Sequence, residues 1–320
     1  MQLPDNQKII IVTGATGFIG GAICYSLKKK GYFVIGVDLV NRKHIMPYMD
    51  MFFQQDFVDI PQLFSPVIHK CDAVIHCAGT SLVEPSFKYP LTYYENNVSK
   101  TIKLLGWCAD QNKHFMFSSS ASIYKSDPKN LTIKEHNEKE PISPYSKSKW
   151  MVEQVIEDFR KAYNLKATIF RYFNACGAID DIHGQEPGAT HIFPRLFECN
   201  GVFKLNGLDY NTRDKSCIRD YIHILDIADA HIKAVEKNCY GVYNLGSKHG
   251  YSNLEIIEAV GKPYDVVSRR EGDIDYLVAN NTAAYNDLEW EPTFTLTGII
   301  NSLTKWYTSE TYLKKVKTNE

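Results

Sequence analysis

A tyrosine and a lysine four residues apart, Tyr145 and Lys149, form the pair in this 320-residue chain whose types and spacing suit redox chemistry. Residues i and i+4 share one face of a helix, so the Lys149 ammonium can sit beneath the Tyr145 phenol and favour its ionised form. A free phenol titrates near pH ~10 and is otherwise a poor proton acceptor at neutral pH. We therefore predict that Tyr145 is a general base and Lys149 its charge partner.

A serine and a second lysine bear on that prediction. Ser120 ends a run of three serines, 25 residues before the tyrosine, and its hydroxyl could hydrogen-bond a reacting hydroxyl. Lys147 lies two residues from Tyr145 and therefore on another face of the helix. Because a tyrosine and a lysine four apart often occur by chance, the prediction depends on the glycine loop that opens the chain.

Three glycines in that loop, Gly14, Gly17 and Gly20, join an apolar run to a helical pattern that begins with Phe18 and Ile19. Glycines there let the backbone approach a pyrophosphate, and the helix N-terminus favours its negative charge. A tight turn without a ligand is the alternative. The loop predicts a dinucleotide site.

Acidic residues follow the next two apolar runs. Asp38 comes 18 residues after Gly20, where a carboxylate can accept hydrogen bonds from a ribose diol and would repel a 2′-phosphate. A solvated acid at a strand end is the alternative. Leu39 offers no arginine to bind a phosphate, so the sequence favours NAD over NADP. Asp56 and Phe57 end a further apparent strand and could hold the adenine.

The elements that must position these residues alternate between strand and helix. Apolar runs predict strands at 8–13, 32–39, 73–77, 114–118 and 167–170, and apolar spacing predicts helices at 18–31, 93–110 and 147–162. This alternation predicts an α/β fold, a Rossmann-type doubly wound parallel sheet. In such sheets ligands bind beyond the carboxyl ends of the strands, where Ser120, Phe173 and Asn174 fall.

The second half of the chain has a different pattern. Loops rich in Gly, Asp and Asn occupy 177–188 and 206–215, as expected of a smaller C-terminal substrate-binding lobe, whereas 221–245 again resembles a helix and strand of the main sheet. We therefore predict an NAD-binding Rossmann domain over 1–175, with 219–248 returning to it. The substrate-binding lobe would comprise 176–218 and 249–320.

Composition narrows the classes of partner. A net charge of −1 offers no basic face for nucleic acid or an anionic membrane, and no apolar run reaches the ~18 residues of a membrane span. The N-terminal apolar run fits a strand better than a signal peptide. Eight scattered cysteines, without C-x-x-C pairs or metal-ligand spacing, indicate free thiols in a reducing cytoplasm and no metal.

Seven short motifs together resemble the extended short-chain dehydrogenases/reductases, the NAD-dependent epimerase/dehydratase family, and within it the UDP-glucose 4-epimerases. They are TGATGFIG (13–20), VIHCAG (74–79), YYENNV (93–98), FSSSASIY (117–124), RYFN (171–174), RDYIH (219–223) and RREGD (269–273). The first four motifs mark the superfamily, and the later ones indicate a nucleotide sugar. The resemblance covers nearly the whole chain.

The resemblance implies roles for further residues. Tyr145 would be the base, Lys149 its partner and a ligand of the nicotinamide ribose, and Ser120 the hydroxyl partner. The NAD site would also include Ala78, Gly79, Asn96 and Phe173. The substrate, a UDP-hexose, would meet Asn174, His191, Arg219, Arg270, Asp273 and Leu277. Arginine forks match phosphate oxygens, and a carboxylate accepts from a ribose; for each arginine alone, a solvated surface charge is the alternative.

The implied reaction is a reversible oxidation. Tyr145 removes the proton of the sugar 4-hydroxyl as hydride passes from C4 to NAD, and the 4-keto sugar turns over and receives the hydride on its other face. Ser81 replaces a lysine found in some relatives, so the resemblance implies that one contact to the NAD phosphates is missing. Leu277 aligns with a bulky tyrosine of some relatives, although Tyr276 beside it leaves the register open. A smaller side chain there would admit an N-acetyl group, as in UDP-GlcNAc or UDP-GalNAc.

Other functions fit the same fold. Sugar-nucleotide 4,6-dehydratases need an acid pair where this chain has Ala121 and Ser122, neither of which can act as a general acid or base. A decarboxylase, a reductase that releases NADH, or an NAD-binding sensor without activity are further alternatives. Relatives pair through two long helices, so a homodimer through 93–110 and 147–162 is expected, with burial inside the monomer as the alternative.

Overall fold

The main sheet is built from seven short strands, most of them buried. The computed structural model describes residues 7–63, 66–125, 132–270 and 273–319. The strands of the main sheet are β1 (Ile9–Thr13), β2 (Phe33–Asp38), β3 (Met51–Gln54), β4 (Ala73–His76), β5 (His114–Ser120) and β6 (Ala167–Tyr172), joined later by β10 (Val242–Leu245). All pairs are parallel, in the order β10-β6-β5-β4-β1-β2-β3. This order confirms the predicted doubly wound fold, with its switch point between β1 and β4.

Helices cover both faces of this sheet. In chain order the helices are α1 (Phe18–Lys29), α2 (Pro66–His69), α3 (Val83–Lys88), α4 (Pro90–Tyr94), α5 (Lys100–Asp110), α6 (Pro144–Tyr163), α7 (Ile192–Glu198), α8 (Ile224–Lys237), α9 (Asn253–Val260), α10 (Thr282–Leu288), α11 (Leu296–Thr308) and α12 (Glu310–Asn319). Alternate residues of β1 point to opposite faces: Ile10 packs with α1 and α8, and Ile11 packs with α5 and α6. Burial on both faces explains why the strands are continuous apolar runs.

A smaller lobe carries the remaining strands, β7 (Asn174–Cys176), β8 (Phe203–Asn206), β9 (Ile218–His223), β11 (Gly250–Ser252), β12 (Tyr264–Val267) and β13 (Tyr276–Leu277). Strand β9 pairs with β7, β11 and β13, while β8 pairs with β12. Large side chains of α7, α11 and α12 close the core of this lobe, among them Phe193, Trp306 and Tyr312. The lobe therefore has an apolar core separate from the two that flank the main sheet.

Two segments depart from the predicted boundaries between domain and lobe. Strand β9 belongs to the smaller sheet, so the return to the main sheet begins with α8 and not at residue 219. Helix α10 and Trp290 pack on the main domain, where the Trp290 indole donates to Asp226 O at 2.9 Å. Both departures arise from contacts between segments distant in sequence, which apolar patterning does not reveal.

The predicted helix over 93–110 consists of three pieces. Helix α4 ends at Tyr94, a π-helical turn spans Glu95–Ser99, and α5 begins at Lys100. π-helical turns are concentrated at functional sites. The predicted helix over 147–162 is α6, which runs from Pro144 to Tyr163 and is capped by Ser143.

Candidate active site

The glycine loop surrounds a cradle, a space that side chains at the glycine positions would fill. Gly14 has φ +64°, and a Cβ there would lie 2.8 Å from Ala78 N. A Cβ on Gly20 would overlap Gly14 O, and one on Gly17 would approach the same oxygen at 3.1 Å. Helix α1 follows at once with Phe18 and Ile19, so its N-terminus faces the loop. These features fit a pyrophosphate.

Asp38 ends β2 next to this loop. Its Oδ2 accepts hydrogen bonds from the backbone N and the Oγ1 of Thr16, both at 2.9 Å, and its Oδ1 accepts from Val40 N at 3.1 Å. The carboxylate is therefore fixed beside the glycine loop, where the sequence predicts a ribose. Thr16 is a residue that the sequence analysis missed.

Asp56 and Phe57 have structural partners. Asp56 caps the 3₁₀ turn Phe57–Gln62 by accepting from Val58 N, and its other oxygen pairs with Lys100 at 2.6 Å. The Phe57 ring is buried against the edge of His76 in the core. Their adenine contact stays a prediction.

Helix α6 presents the tyrosine and the lysine at its first turns. Ser143 and Ser146 form a reciprocal capping box, and Pro144 occupies the first turn. Lys149 is buried, whereas Lys147 is exposed. The difference follows from the i+4 and i+2 offsets and agrees with the choice of Lys149 as the partner.

The Tyr145 phenol meets the end of β5. The Ser120 hydroxyl accepts from Ser122 N at 3.2 Å and lies 2.9 Å from Ser122 Oγ, and it is near enough to the Tyr145 phenol to affect its pKa. Burial raises the pKa of Tyr145, and the Ser120 hydrogen bond opposes this rise. The sequence led us to expect a lowered pKa. The structure differs because loss of water around the phenol outweighs the favourable groups near it.

The Lys149 ammonium lies between the tyrosine and the sheet. Its Nζ donates to Ser118 O at 2.9 Å and lies 5.9 Å from the centre of the Tyr145 ring. Burial lowers the pKa of Lys149 to about 8. A Cβ on Gly79 would stand 3.7 Å from this Nζ, so the lysine lies next to the loop after β4.

A buried chain of hydrogen bonds continues behind Ser118. Its hydroxyl lies 2.9 Å from the Tyr172 OH, which lies 2.9 Å from His231 Nε2. His231 Nδ1 is 2.9 Å from Ile227 O, which can only accept, so Nδ1 carries the proton and Nε2 accepts from Tyr172. Sequence reasoning missed this chain, because its members are 54 and 59 residues apart.

Two asparagines of the π-helical turn hold the loop after β4. Asn96 Nδ2 donates to Thr80 Oγ1 at 3.0 Å, while Asn97 accepts from Thr80 N at 2.7 Å and donates to Thr80 O and to Ser148 Oγ. Asn97 is buried, and the sequence had indicated Asn96 alone. The π turn brings both amides to Thr80 and so joins the loop after Ala78 and Gly79 to helix α6.

A buried ion pair anchors the middle of α6. The Arg171 guanidinium of β6 binds both oxygens of Glu153, and it also donates to Tyr124 OH and Glu135 O at 2.7 Å. Ser119 donates to the same carboxylate. Both charged side chains are about 4% exposed or less. The pair fixes α6 to the neighbouring strands β5 and β6.

The structure brings only some of the predicted substrate residues into contact with one another. Arg219 pairs with Asp273 at 2.6 Å, and Tyr210, which the sequence analysis missed, donates to the other Asp273 oxygen at 3.0 Å. Leu277 is the register partner of Arg219 on β13 and packs with Phe173, which is buried. Tyr276 instead points towards Gly250, so Leu277 is the residue on the side of the catalytic strands.

Three further candidates have fewer partners. Asn174 donates to Asp220 O at 3.1 Å from the start of β7. His191 precedes α7 and is exposed, and Arg270 is exposed with Arg195 as a neighbouring positive charge. Glu271 and Gly272 of the last motif lie outside the described residues. Their roles towards a substrate stay predictions.

The described ranges contain neither a helix long and apolar enough to span a bilayer nor a cluster of three potential metal ligands among His, Cys, Asp and Glu. At the site, Tyr145, Ser120 and Lys149 lie together beside the glycine cradle. This arrangement can take a proton from a hydroxyl group and return it.

Known proteins share both sequence and fold with this chain. The UDP-glucose 4-epimerase of Lactobacillus helveticus is 39% identical over 326 aligned positions, which cover 95% of this chain and 98% of the relative. The crystal structure of the UDP-glucose 4-epimerase of Stenotrophomonas maltophila, with bound NAD and formylated UDP-arabinopyranose, superposes with a TM-score of 0.89 at 29% identity, covering 98% of this chain and 100% of that chain.

A third similar protein is the UDP-Glc/GlcNAc 4-epimerase of Campylobacter jejuni, with a TM-score of 0.80 and 31% identity over 94% of this chain and 99% of that chain. The family description "NAD dependent epimerase/dehydratase family" matches residues 10–246. The cofactor that the glycine loop and Asp38 predict is the one in this description. The chain belongs to the NAD-dependent epimerase/dehydratase family.

Proposed function

We propose that this protein is an NAD-dependent 4-epimerase of a UDP-hexose, interconverting the two configurations at C4 through a 4-keto sugar. The observation that carries the proposal is the meeting of Tyr145, Ser120 and Lys149 at the end of β5, beside the glycine cradle. Similar proteins that cover almost the whole chain are UDP-glucose 4-epimerases.

The protein's part in the reaction is acid–base chemistry and orientation. When bound, NAD supplies a two-electron acceptor for the hydrogen at C4 and gives it back to the same carbon. Tyr145 takes the proton of the 4-hydroxyl as the C4–O bond becomes a carbonyl, and it returns this proton when the alcohol reforms. Ser120 donates a hydrogen bond to the reacting oxygen, and the Lys149 charge stabilises the phenolate.

We propose that the main domain binds NAD and that the smaller lobe binds the nucleotide sugar. Gly14, Gly17, Phe18, Ile19 and Gly20 would hold the pyrophosphate. The other proposed NAD contacts are Asp38, Asp56, Phe57, Ala78, Gly79, Asn96, Tyr145, Lys149 and Phe173. Asn174, His191, Arg219, Arg270, Asp273 and Leu277 would meet the UDP-sugar. Arg219 is held by Asp273, which supports a fixed guanidinium for the phosphates.

The N-acetylated sugars UDP-GlcNAc and UDP-GalNAc are the second substrate class. Leu277 packs against the buried cluster that contains Phe173 and Ala121, which follow β6 and β5. A leucine is smaller than the tyrosine expected of some relatives, and a similar solved structure is described as a UDP-Glc/GlcNAc 4-epimerase. Both observations support a pocket that accepts either class.

A homodimer and a cytoplasmic location complete the proposal. Helices α3, α4 and α6 adjoin one another. The exposed apolar side chains on or next to these helices are Phe87, Tyr89, Leu91 and Met151. In contrast, apolar side chains of α5 are buried in the core of the monomer. Exposed apolar side chains on adjoining helices support pairing of two copies. All eight cysteines are free thiols, which supports a reducing compartment.

The direct test is proton NMR of UDP-glucose, UDP-galactose, UDP-GlcNAc and UDP-GalNAc with the purified protein, with and without added NAD. The proposal expects interconversion at C4 without net reduction of NAD, and its loss in Tyr145→Phe. A 4-keto-6-deoxy product would instead identify a dehydratase. No turnover of any of these sugars would contradict the proposal.

A further inference from the structure

Five polar residues far from the reacting groups tie the smaller lobe to the glycine loop. We call them the lobe bridge: Arg42, His44, His183, Glu186 and Lys315. They come from the loop after β2, from the segment before α7, and from α12. The epimerase chemistry of Tyr145 uses none of them.

Arg42 connects the glycine loop with the lobe. Its Nη1 donates to Thr16 O at 3.3 Å and lies 3.2 Å from Thr16 Oγ1, while its Nε pairs with Glu186 Oε1 at 3.1 Å. Thr16 also donates to the Asp38 carboxylate. The guanidinium therefore holds the loop at the same residue that orients Asp38.

Lys315 anchors the other side of Glu186. Its Nζ lies 2.7 Å from Glu186 Oε1 and 5.1 Å from the centre of the Trp306 ring. The lysine side chain is only 19% exposed, and Trp306 is buried in the lobe core. Helix α12 thus reaches the segment after β2 through Glu186, which pairs with Arg42, and through His44, whose Nε2 lies 3.4 Å from Lys315 Nζ.

His183 supports the start of α1 directly. Its Nε2 lies 2.9 Å from Phe18 O, and a Cβ on Gly21 would overlap its ring. Phe18 O can only accept, so His183 Nε2 carries the proton, and His183 Nδ1 lies 3.2 Å from His44 Nε2, which lies 3.4 Å from Lys315 Nζ. Burial lowers the pKa of His183 to about 4 and that of His44 to about 3, so both rings are neutral.

We propose that the lobe bridge positions the glycine loop and slows the release of NAD. The loop that would hold the pyrophosphate is tied at Phe18 to His183 of the lobe, and at Thr16 to Arg42, which pairs with Glu186 of the lobe, so it cannot open until these contacts break. Ser81 replaces a lysine that some relatives direct at the phosphates. The lobe bridge would retain NAD by holding the glycine loop in place, and not by adding a positive charge next to the phosphates.

The inference rests on the proposed function, because an epimerase that regenerates NAD in place gains from keeping it bound. The test compares Glu186→Gln with Asp180→Asn. The first change removes the charge shared by Arg42 and Lys315 at nearly constant shape. The second removes the charge of an exposed pair with Lys305 in the same lobe and is the matched control.

The measurement is the exchange of bound NAD after NAD-loaded protein is mixed with excess isotopically labelled NAD, followed by mass spectrometry. Glu186→Gln should exchange roughly fivefold faster than the unmodified protein, the factor that ~1 kcal/mol of lost ion pairing gives. Asp180→Asn should exchange at the unmodified rate. Turnover of Glu186→Gln at saturating NAD should be unchanged.

A double variant separates a shared bridge from general loosening of the fold. If Glu186 and Lys315 act through one contact, Glu186→Gln with Lys315→Met should exchange NAD no faster than Glu186→Gln alone. Equal exchange rates in Glu186→Gln, Asp180→Asn and the unmodified protein would overturn the bridge. Slow exchange that accelerates in Glu186→Gln, in a protein that epimerises no sugar, would support the bridge and contradict the proposed function.

Discussion

At the residue scale, the reacting centre combines two groups that burial makes unfavourable in their charged forms. Burial raises the pKa of Tyr145 and lowers that of Lys149 to about 8. Neither shift helps the stability of the fold. Placing both groups together at the end of β5 is the kind of arrangement found at active sites, where stability is given up for reactivity.

Replacement of Lys149 should therefore make the protein more stable and also inactive. The Lys149 ammonium titrates near 10.5 when unfolded and near 8 when folded, so its burial costs on the order of 3 kcal/mol below pH 8. Lys149→Met should be more stable by about 2 kcal/mol at pH 7, since loss of the hydrogen bond to Ser118 O offsets ~1 kcal/mol.

The sign of the pH dependence is a second check on this variant. Between pH 8 and 10.5 the folded protein loses the lysine proton before the unfolded chain does, so the unmodified protein gains stability as the pH rises. The advantage of Lys149→Met should shrink over this range. Urea denaturation at pH 7 and pH 9.5 measures it, and an advantage that grows with pH would contradict a buried, depressed lysine.

Substrate choice is also decided by single side chains. Leu277 packs against the cluster that contains Phe173 and Ala121, so a larger ring there should occupy the space that an N-acetyl group needs. Leu277→Tyr should lower kcat/KM for UDP-GlcNAc by at least ~10-fold and change that for UDP-glucose far less. Equal effects on both sugars, measured by NMR, would place the N-acetyl group elsewhere.

At the element scale, helix α6 is the part that brings the chemistry together. Its capping box, its i+4 spacing and its apolar face are local features, so Tyr145 and Lys149 could be predicted from the sequence. The Glu153–Arg171 pair and the π turn that aims Asn97 at Thr80 could not. Both depend on contacts with strands or loops distant in sequence, for which a short window carries no signal.

The buried pair should be costly to break from one side. Glu153→Gln leaves the Arg171 guanidinium buried without its counter-charge, so the free energy of unfolding should fall by about 3 kcal/mol. Glu157→Gln, on the same helix and paired with Arg160 nearer the surface, is the control and should cost under ~1 kcal/mol. Similar losses in both variants, by urea denaturation, would contradict the anchoring role of Glu153.

At the whole-molecule scale, the doubly wound sheet places the glycine loop, the end of β4 and the end of β5 around one crevice. The doubly wound parallel fold followed from alternating strand and helix patterns, and it was confirmed. The boundary of the lobe did not follow, because β9 and α10 find their partners across the fold. The lobe bridge likewise joins residues more than 120 positions apart.

Pairing of two copies is the prediction that belongs to this scale. Leu91 is 68% exposed on α4, next to α6. Burial of Leu91 in a dimer interface would explain why this exposed position carries an apolar side chain. Leu91→Glu should convert a dimer into a monomer in sedimentation experiments, while Leu313→Glu, at an exposed leucine on α12, should not. An unmodified protein that sediments as a monomer would rule out the dimer.

The central claim is a reversible oxidation at C4 with the cofactor regenerated in place, and a label at that carbon tests it most directly. UDP-glucose carrying deuterium at C4 would be incubated with the purified, NAD-loaded protein, and the UDP-galactose formed would be analysed by NMR. The account predicts that the deuterium stays on C4 of the product, with no net reduction of NAD and no product from Tyr145→Phe. Loss of the deuterium to solvent, or its appearance in a 4-keto-6-deoxy sugar, would contradict it.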